Sequence, residues 1–218
     1  GYFFYHNRLH RNYQDDISLH YYLLASKDGI TIGKRYFKHE NNKEDYPFSP
    51  SGHNLYDNNS KLYYCRDFDN IVYQIHEDSV VPRFRINLPN PLPASMIEGR
   101  PNEMSLLRSG YSLGITDIYE YGGLLFFRFV KDGYIWSCLY NVEESKQVYC
   151  AKRIKFLDSS LIDTIDGIYK DCFYSILTPE YLDYAFSENP LEDYPDLFKT
   201  YDVEGDNPVI AFYRAVVR

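Results

Sequence analysis

The sequence predicts an all-β protein built from repeated antiparallel sheets, and three observations carry this prediction. Aromatic residues make up 18% of the 218 positions, with 24 Tyr, and Tyr, Phe and β-branched residues favour half-buried pleated sheets. The tripeptide Lys-Asp-Gly occurs twice, at 27–29 and 131–133, each time between runs of aromatic and β-branched residues. Several segments also alternate strictly between apolar and polar residues, as strands with one buried face do.

Each Lys-Asp-Gly is typical of a hairpin turn. Two β-like runs joined by Asp-Gly are the strongest short-range signal of a hairpin, and glycine adopts a positive φ at no steric cost. The first turn joins HYYLLAS to ITIGKRYF, and the later one joins LLFFRFV to YIWSCLYN. An intervening hairpin is predicted over Lys61–His76 with Asp69-Asn70 at its turn, since Asn is the next best residue for that backbone region.

Further strands flank each hairpin, which gives about four antiparallel strands in each repeat. The segments that precede the three hairpins are YFFYHN, HNLYDN and ITDIYEY. The segments that follow the second and third hairpins, SVVPRFRINL and QVYCAKRIKF, alternate between apolar and polar residues. Such alternation indicates strands with one buried face.

The turn aspartates Asp28, Asp69 and Asp132 set the spacing of these repeats. Asp28 and Asp69 lie roughly 40 residues apart, which is the period of a repeat architecture. Asp69 and Asp132 lie roughly 60 residues apart. The excess falls on Pro89–Gly110, which contains four prolines and is interpreted as an inserted loop. A weaker fourth repeat contains GIYKDCFYSILTPEYLDYAF, with its turn predicted at Thr178-Pro179-Glu180.

Four-stranded units that recur every 40 to 50 residues are the signature of a β-propeller. The prediction is therefore a propeller-like array of three to four four-stranded blades. It forms a single, partial propeller domain over 1–218, with approximate blades at 1–48, 52–88, 111–157 and 163–218 and an inserted loop at 89–110. Sheets that pack face to face need no polar face on their inner strands, which accounts for the nearly unbroken apolar run Leu124–Val130.

Two segments resemble a known family. The ending DNPVIAFYR and the segment SKLYYCRDFDNIVYQIHEDSVVPRFRINL are similar to parts of the six-bladed β-propeller proteins abundant in Bacteroidetes, which are related to TolB and NHL-type propellers. The resemblance implies that the chain is part of a six-bladed propeller. It also implies an exported protein, periplasmic or at the cell surface. It carries over no catalytic residues.

The chain departs from that family in length, because members are roughly twice as long. It looks like the C-terminal half of a propeller, and a half ring exposes two blade faces that a full ring would bury. Three arrangements follow. The chain is a fragment that associates with a missing N-terminal half, two copies complete a ring or stack as a homo-oligomer, or the chain closes as a compact four-bladed ring.

Charge and hydropathy exclude two classes of function. A net charge of −8 argues against general nucleic-acid binding, which needs a basic face. The local basic segment Lys34–Lys38 is interpreted as alternating solvent-facing charges on a strand. No apolar run reaches the 18 residues of a membrane-spanning helix, so no transmembrane segment is predicted.

The cysteines suggest a disulfide and no metal ribbon, because C-x-x-C does not occur. If WSCLYNVEESKQVYC folds as a hairpin centred on Glu144, then Cys138 and Cys150 are cross-strand neighbours that can bond at a non-hydrogen-bonded pair. The alternative is two buried free thiols. His6 and His10 have the spacing of helical metal ligands, but the pattern there is strand and loop, so no metal site is predicted.

No residue is identified as catalytic, and no cofactor is predicted. The many acidic pairs lie at turns, where Asp and Glu are expected. The aromatic surplus either packs blades or binds a sugar or peptide. The leading hypothesis is a non-enzymatic binding or protein-interaction module. The alternative is a glycan-active hydrolase or lyase with carboxylates at the propeller axis, since a fold does not dictate a function.

Overall fold

The structure is a computed structural model. It describes residues 1–7, 21–38, 50, 53–99, 101–152, 154–156, 159–162, 165–188, 198, 200–202, 204–205 and 207–214. Within these residues, strands form four antiparallel sheets of three or four strands and one two-stranded sheet, which confirms the predicted all-β class. None of the described helices is long and apolar enough to cross a bilayer.

The sheets follow one another along the chain. The first contains β1 (Phe3–His6), β2 (Tyr21–Ser26) and β3 (Ile32–Lys38), and the second contains β4 (Leu55–Asn58), β5 (Lys61–Cys65), β6 (Ile71–Ile75) and β7 (Val80–Arg85). The third contains β8 (Ser112–Tyr121), β9 (Leu124–Lys131), β10 (Tyr134–Asn141) and β11 (Lys146–Ala151). A two-stranded sheet of β12 (Ile154–Phe156) and β13 (Ser159–Ile162) precedes the last sheet, β14 (Gly167–Tyr169), β15 (Cys172–Leu177) and β16 (Val209–Tyr213).

Contacts divide the chain into two compact units. The first unit comprises Gly1–Tyr56, Ser60–Asp117 and Phe129–Gly133. The second unit comprises Asp57–Asn59, Ile118–Arg128 and Tyr134–Arg218. The blade boundaries proposed from the sequence stay a prediction.

The two Lys-Asp-Gly turns both close hairpins, but their backbones differ. In the first, Ser26 pairs with Ile32 across a longer loop, and Gly29 has the predicted positive φ of 78°. The Asp28 carboxylate accepts hydrogen bonds from the backbone N–H groups of Ile30 and Thr31, and these bonds lower its pKa. In the second, both Asp132 and Gly133 have positive φ, as in a two-residue hairpin turn.

The intervening hairpin forms as predicted between β5 and β6, but its left-handed residue is not Asn70. Phe68 adopts φ 60°, and Asp69 accepts hydrogen bonds from the N–H groups of Asn70 and Ile71 through Oδ1. The turn is therefore shaped by the Asp69 side chain. An aromatic residue in this region carries strain that the surroundings must support.

Two segments contain helices that the sequence interpretation did not include. The turn predicted at Thr178-Pro179-Glu180 is wrong, because α3 (Pro179–Glu188) begins there. Proline is suited to the first helical position, and Thr178 Oγ1 accepts from the N–H of Tyr181. The turn of this hairpin instead lies at Lys170-Asp171, between β14 and β15. The predicted inserted loop contains α1 (Ala94–Glu98) and α2 (Glu103–Leu107).

The first sheet packs on the second through an apolar cluster in the first unit. Leu23 on β2, Tyr64 on β5 and Tyr73 and Ile75 on β6 are its buried members. Burial raises the pKa of the Tyr64 hydroxyl, which bonds to His6 Nδ1 at 3.1 Å. Faces that carry Tyr, Leu and Ile are thus the packing surfaces of this chain, as face-to-face blades require.

Strand β8 lies directly against the turn between β5 and β6. The N–H of Ile115 donates to Asp69 O at 3.1 Å. Gly114 has φ +93°, and a Cβ there would lie 2.7 Å from Phe68 Cα. Only glycine satisfies both constraints, so this position fixes the close approach of β8 to the turn.

In the second unit, the buried Asn58 amide joins β4 to β8. Its Nδ2 donates to Ile118 O at 3.3 Å, and its Oδ1 accepts from the N–H of Glu120 at 2.6 Å. One side chain thus satisfies two backbone groups of β8. Farther along, the Tyr119 hydroxyl donates to Asp166 O at 3.0 Å, which connects β8 to the start of the last sheet.

Candidate functional site

A buried carboxylate and a half-exposed imidazole face each other in the first unit. Asp117 Oδ1 on β8 lies 3.9 Å from His53 Nε2, and the Asp117 side chain is only 7% exposed while that of His53 is 57% exposed. The Tyr56 hydroxyl lies 2.6 Å from His53 O, and its ring centroid is 4.8 Å from the imidazole. An accessible imidazole beside a buried carboxylate makes this pair a candidate polar site.

The neighbouring polar groups hold the backbone in place. Asn54 Nδ2 donates to Cys65 O and to Asp67 Oδ1, each at 2.9 Å. Cys65 is a buried free cysteine, and burial, together with the charges of Asp69 and Asp117, raises the pKa of its thiol. A thiol that stays protonated is a poor nucleophile, so Cys65 is a packing residue here.

A stacked cationic cluster secures the turn between β5 and β6. Arg66 Nε and Nη2 donate to Asp69 Oδ2 at 2.9 and 2.5 Å. The guanidinium also lies 5.3 Å from the Phe37 ring centroid and 6.0 Å from that of Tyr73. Burial alone would lower the pKa of Arg66, but the Asp69 carboxylate outweighs it and the pKa is raised. This cluster joins residues of the first and second sheets. Both oxygens of the Asp69 carboxylate accept hydrogen bonds, from Arg66 and from backbone N–H groups.

Turn carboxylates behave as the sequence interpretation expected. Asp28, Asp69 and Asp166 each accept a backbone N–H, the last from Ile176 at 2.7 Å. Among the described residues, no group of three His, Cys, Asp or Glu side chains is arranged to hold a metal ion. His6 bonds with Tyr64, and His10, its predicted i, i+4 neighbour, lies outside the described residues.

The basic segment at Lys34–Lys38 lies on β3 as expected. Arg35 and Lys38 are exposed, whereas Lys34 Nζ donates to Asp78 O at 2.7 Å. Tyr36 donates to the same carbonyl at 3.0 Å. These contacts fasten the first sheet to the turn between β6 and β7.

Cys138 on β10 and Cys150 on β11 are direct cross-strand partners, and their sulfurs lie within bonding distance. Their Cα atoms are 4.0 Å apart, the short spacing of a non-hydrogen-bonded pair. The turn between these strands is closed by Asn141 Oδ1, which accepts from the N–H groups of Glu143 and Glu144. The oxidation state of the pair in solution stays a prediction.

We expect Cys138 and Cys150 to be disulfide-bonded in protein produced in an oxidising compartment. Unreduced, denatured protein should then incorporate iodoacetamide at Cys65 and Cys172 but not at this pair. Reduction should raise the intact mass by about two hydrogens and open both positions to alkylation. Alkylation of all four cysteines without reductant would contradict the prediction. A C138S/C150S variant gives the reference for a chain without the bond.

The last sheet presents one buried and one exposed face. The buried face contains Phe173, Ser175 and Leu177, and the Phe173 ring meets Tyr121 edge-on at 6.4 Å. The opposite face, here termed the apolar sheet face, consists of Tyr169, Tyr174, Ile176, Ile210 and Phe212. Ile176 pairs directly with Ile210, and Tyr174 with Phe212.

The apolar sheet face is unusually open for its composition. Tyr169, Ile176, Ile210 and Phe212 are 53%, 46%, 55% and 53% exposed. The Tyr174 ring lies across Gly167, where a Cβ would come within 2.7 Å of the ring. Charged groups lie at the edge of this face: Lys170 Nζ is 5.2 Å from the Tyr169 ring centroid, and Arg214 pairs with Asp171 at 2.5 Å. An exposed apolar surface of this kind is a candidate interaction site.

Repeated antiparallel sheets of three or four strands, with the first packed face to face on the second, define a β-propeller scaffold. A family described as "6-bladed beta-propeller" matches residues 1–160. The chain therefore belongs to this six-bladed β-propeller family.

The chain is also similar to a solved structure from Bacteroides fragilis NCTC 9343, named as a "Putative exported protein". The TM-score is 0.69 and the sequence identity is 16%, over 94% of this chain. The match covers 60% of that protein, so the chain spans less than two thirds of its length. The search of curated proteins gives no match. These similarities establish the fold. The function has to be inferred from the side chains described above.

Neither the polar pair nor the apolar sheet face was identified from the sequence. His53 and Asp117 lie far apart along the chain and belong to no local motif. The alternation along β16 could have indicated a one-sided strand, with Ile210 and Phe212 on one face. Alternation alone, however, does not tell which apolar face is covered.

Proposed function

We propose that the chain is a non-enzymatic protein-interaction module of an exported β-propeller. Its contact surface is the apolar sheet face, and its partner is a β-sheet with an apolar face of its own. The observation that supports this most is the exposure of four large apolar side chains on one face of the last sheet. Small-molecule sites are concave and lined by a few convergent polar groups, whereas this surface is an open sheet face with charged groups only at its edge.

The polar groups described above support the same proposal. Asp28, Asp69 and Asp166 hold turns, and Arg66 is bound to Asp69. These side chains satisfy backbone groups and each other, which is a structural role. The family resemblance and the name of the Bacteroides fragilis relative support a periplasmic or cell-surface location. The cross-strand cysteine pair suits such a compartment, where disulfides persist.

The proposal is tested by replacing one isoleucine on the apolar sheet face. A dye that fluoresces on apolar surfaces, 8-anilinonaphthalene-1-sulfonate, should bind dilute wild-type protein. I210K should reduce this fluorescence at least twofold, because a charge is placed in the centre of the face. The matched control is I30K, at an isolated turn position where the side chain is 86% exposed. Equal dye binding by wild type, I210K and I30K would refute the proposal.

A second candidate function is favoured by the Asp117–His53 pair. A buried carboxylate beside an accessible imidazole is compatible with the alternative of a glycan-active hydrolase or lyase. That hypothesis requires turnover of a polysaccharide panel by the purified chain, detected as new reducing ends or unsaturated products. It also requires that D117N lose this turnover while keeping the wild-type unfolding midpoint. Absence of turnover by wild type leaves the interaction module as the supported function.

A further inference from the structure

We propose that Tyr134 and Trp136 form a binding site for a quaternary ammonium group, and that the side chain of Lys152 occupies this site when no ligand is bound. The two aromatic residues lie on β10, and the lysine directly follows β11 in the third sheet. This site goes beyond the proposed function, because it includes no residue of the apolar sheet face. The two proposals can therefore fail independently.

Two aromatic rings share one face of β10. Tyr134 and Trp136 are two residues apart, so the pleat of the strand directs both side chains to the same face. Tyr134 is 53% exposed, whereas Trp136 is half-buried and its Nε1 atom is buried. The polar edge of the tryptophan ring therefore points into the protein, and the tyrosine presents its ring to solvent. Such rings attract cations, because the face of an aromatic ring is its negative side.

An ammonium group already lies over both rings. Lys152 Nζ is 3.5 Å from the Tyr134 ring centroid and 5.8 Å from that of Trp136. In the described part of the chain, the next shortest distance between a cation and a ring centroid is 4.9 Å. Arg66 also lies over two rings, but it is bound to Asp69, whereas no ion pair of Lys152 is present among the described residues. The rings themselves therefore account for the position of the lysine ammonium.

Lys152 is placed so that it can leave the rings. Ser137 on β10 pairs with Ala151, the last residue of β11, and Lys152 comes next in the chain. This register brings the lysine to Trp136, the neighbour of Ser137. Lys152 itself is exposed and lies outside the strand, so a rotation of its side chain breaks no strand pair. A competing cation can thus displace the ammonium without opening the sheet.

The site should prefer a quaternary ammonium ligand to a primary one. A lysine ammonium is compact and strongly hydrated, so contact with a ring costs it part of its water shell. A trimethylammonium group has no N–H donors and presents methyl surfaces, and aromatic sites in proteins recognise this type of cation. The net charge of −8 also raises the concentration of cations near the protein. The expected ligand class is therefore a choline-like head group.

The test is a titration of the chain with choline chloride, followed by tryptophan fluorescence. Trp136 is the single Trp of the sequence, so the signal reports this site alone. Wild type should bind choline with a dissociation constant on the order of 10 mM, since an exposed cation–π contact is weak. The uncharged analogue 3,3-dimethylbutan-1-ol has the shape of choline and should bind at least about tenfold more weakly. Sodium chloride at equal concentration controls for ionic strength, and saturation-transfer NMR on the choline methyl protons gives a second readout.

Three variants separate the roles of the rings and the lysine. Lys152→Ala should tighten choline binding at least about threefold, because it removes the competing ammonium. Tyr134→Leu should weaken binding at least about fivefold, because it keeps an apolar side chain and removes the ring. The matched control is Lys170→Ala, which removes a lysine 5.2 Å from the Tyr169 ring centroid and should bind choline like wild type. Far-ultraviolet circular dichroism should verify that all variants are folded.

A further arm distinguishes the source of the head group. Co-sedimentation of wild type with phosphatidylcholine vesicles, lost in Tyr134→Leu, would identify a lipid. Choline binding without co-sedimentation would identify a small soluble ligand. Both results support the site.

The inference is overturned by any of four results. These are equal binding of choline and its uncharged analogue, unchanged binding in Tyr134→Leu, binding by Lys152→Ala that is no tighter than that of wild type, and no binding by either wild type or Lys152→Ala. I210K, which tests the apolar sheet face, should bind choline like wild type. Loss of dye binding and loss of choline binding therefore refute different proposals.

Discussion

We expect Gly114→Ala to lower the free energy of unfolding by at least about 3 kcal/mol. Two costs combine at this position. The backbone has φ +93°, which L side chains rarely adopt, and the new Cβ would lie 2.7 to 2.9 Å from backbone atoms of Phe68 and Asp69. A backbone contact cannot be relieved by rotating a side chain, so β8 or the turn must move.

The matched control is Gly122→Ala. Gly122 also has a positive φ, +57°, but a Cβ there would have no heavy atom within 4 Å. We expect Gly122→Ala to lower the free energy of unfolding by about 1 kcal/mol, because only the backbone conformation is strained. Urea unfolding monitored by tyrosine fluorescence would give both values. If the two variants unfold at the same urea concentration, the prediction that β8 packs closely against the turn between β5 and β6 is refuted.

The second large effect is expected for Asp69→Asn, which should lower the free energy of unfolding by about 2 kcal/mol. The asparagine oxygen can still accept from the N–H groups of Asn70 and Ile71, so the turn keeps its backbone bonds. What is lost is the partner of Arg66, whose side chain is 33% exposed. An unpaired charge that is two thirds buried costs less than a fully buried one, because water still reaches it.

Asp28→Asn provides the control for the same substitution at a turn. Asp28 makes equivalent backbone bonds in the first hairpin, but it is exposed and its bonds there do not include an arginine. Asp28→Asn should therefore lower the free energy of unfolding much less than Asp69→Asn does. A double-mutant cycle of Arg66→Met with Asp69→Asn would isolate the pair, because the second substitution should cost little once the first is present. Additive effects would show that the ion pair contributes nothing.

The hairpins could be predicted because their signals are local. Asp-Gly at 28–29 and 132–133 specifies a turn whatever surrounds it, and the lengths of the runs on either side set the register. Cys138 and Cys150 also align, as their equal distances from Glu144 predict, although a register shift between Leu139 and Tyr140 contributes to that alignment. Such predictions need no knowledge of the rest of the chain.

The conformation of Phe68 could not be predicted, because its cause lies in another sheet. Phe68 takes a left-handed conformation against Gly114, and no property of the segment around it requires that. The start of α3 was different, since a threonine followed by proline and glutamate is a helix N-terminus signal. The repeat spacing favours a hairpin turn at the same position, so the two signals conflict there.

The candidate site depends on tertiary structure in both of its parts. His53 and Asp117 approach only because β4 and β8 lie side by side, as Tyr56 and Thr116 also show by a hydrogen bond between them. The apolar sheet face required the pairing of β15 with β16, which are separated by α3 and a long connection. Sequence patterns identify the strands, but contacts across such distances decide which faces remain open.

The pairing of Cys138 with Cys150 also affects how the protein responds to force. Strand β11 lies at the edge of the third sheet, where a chain pulled from its ends would otherwise unzip from β10. With the bond formed, the 12-residue separation between the two cysteines cannot extend. A stretched chain would then be shorter by roughly 40 Å than its reduced form, at about 3.5 Å per residue. Under mechanical load, the edge of this sheet would thus stay closed until a reductant cleaved the bond.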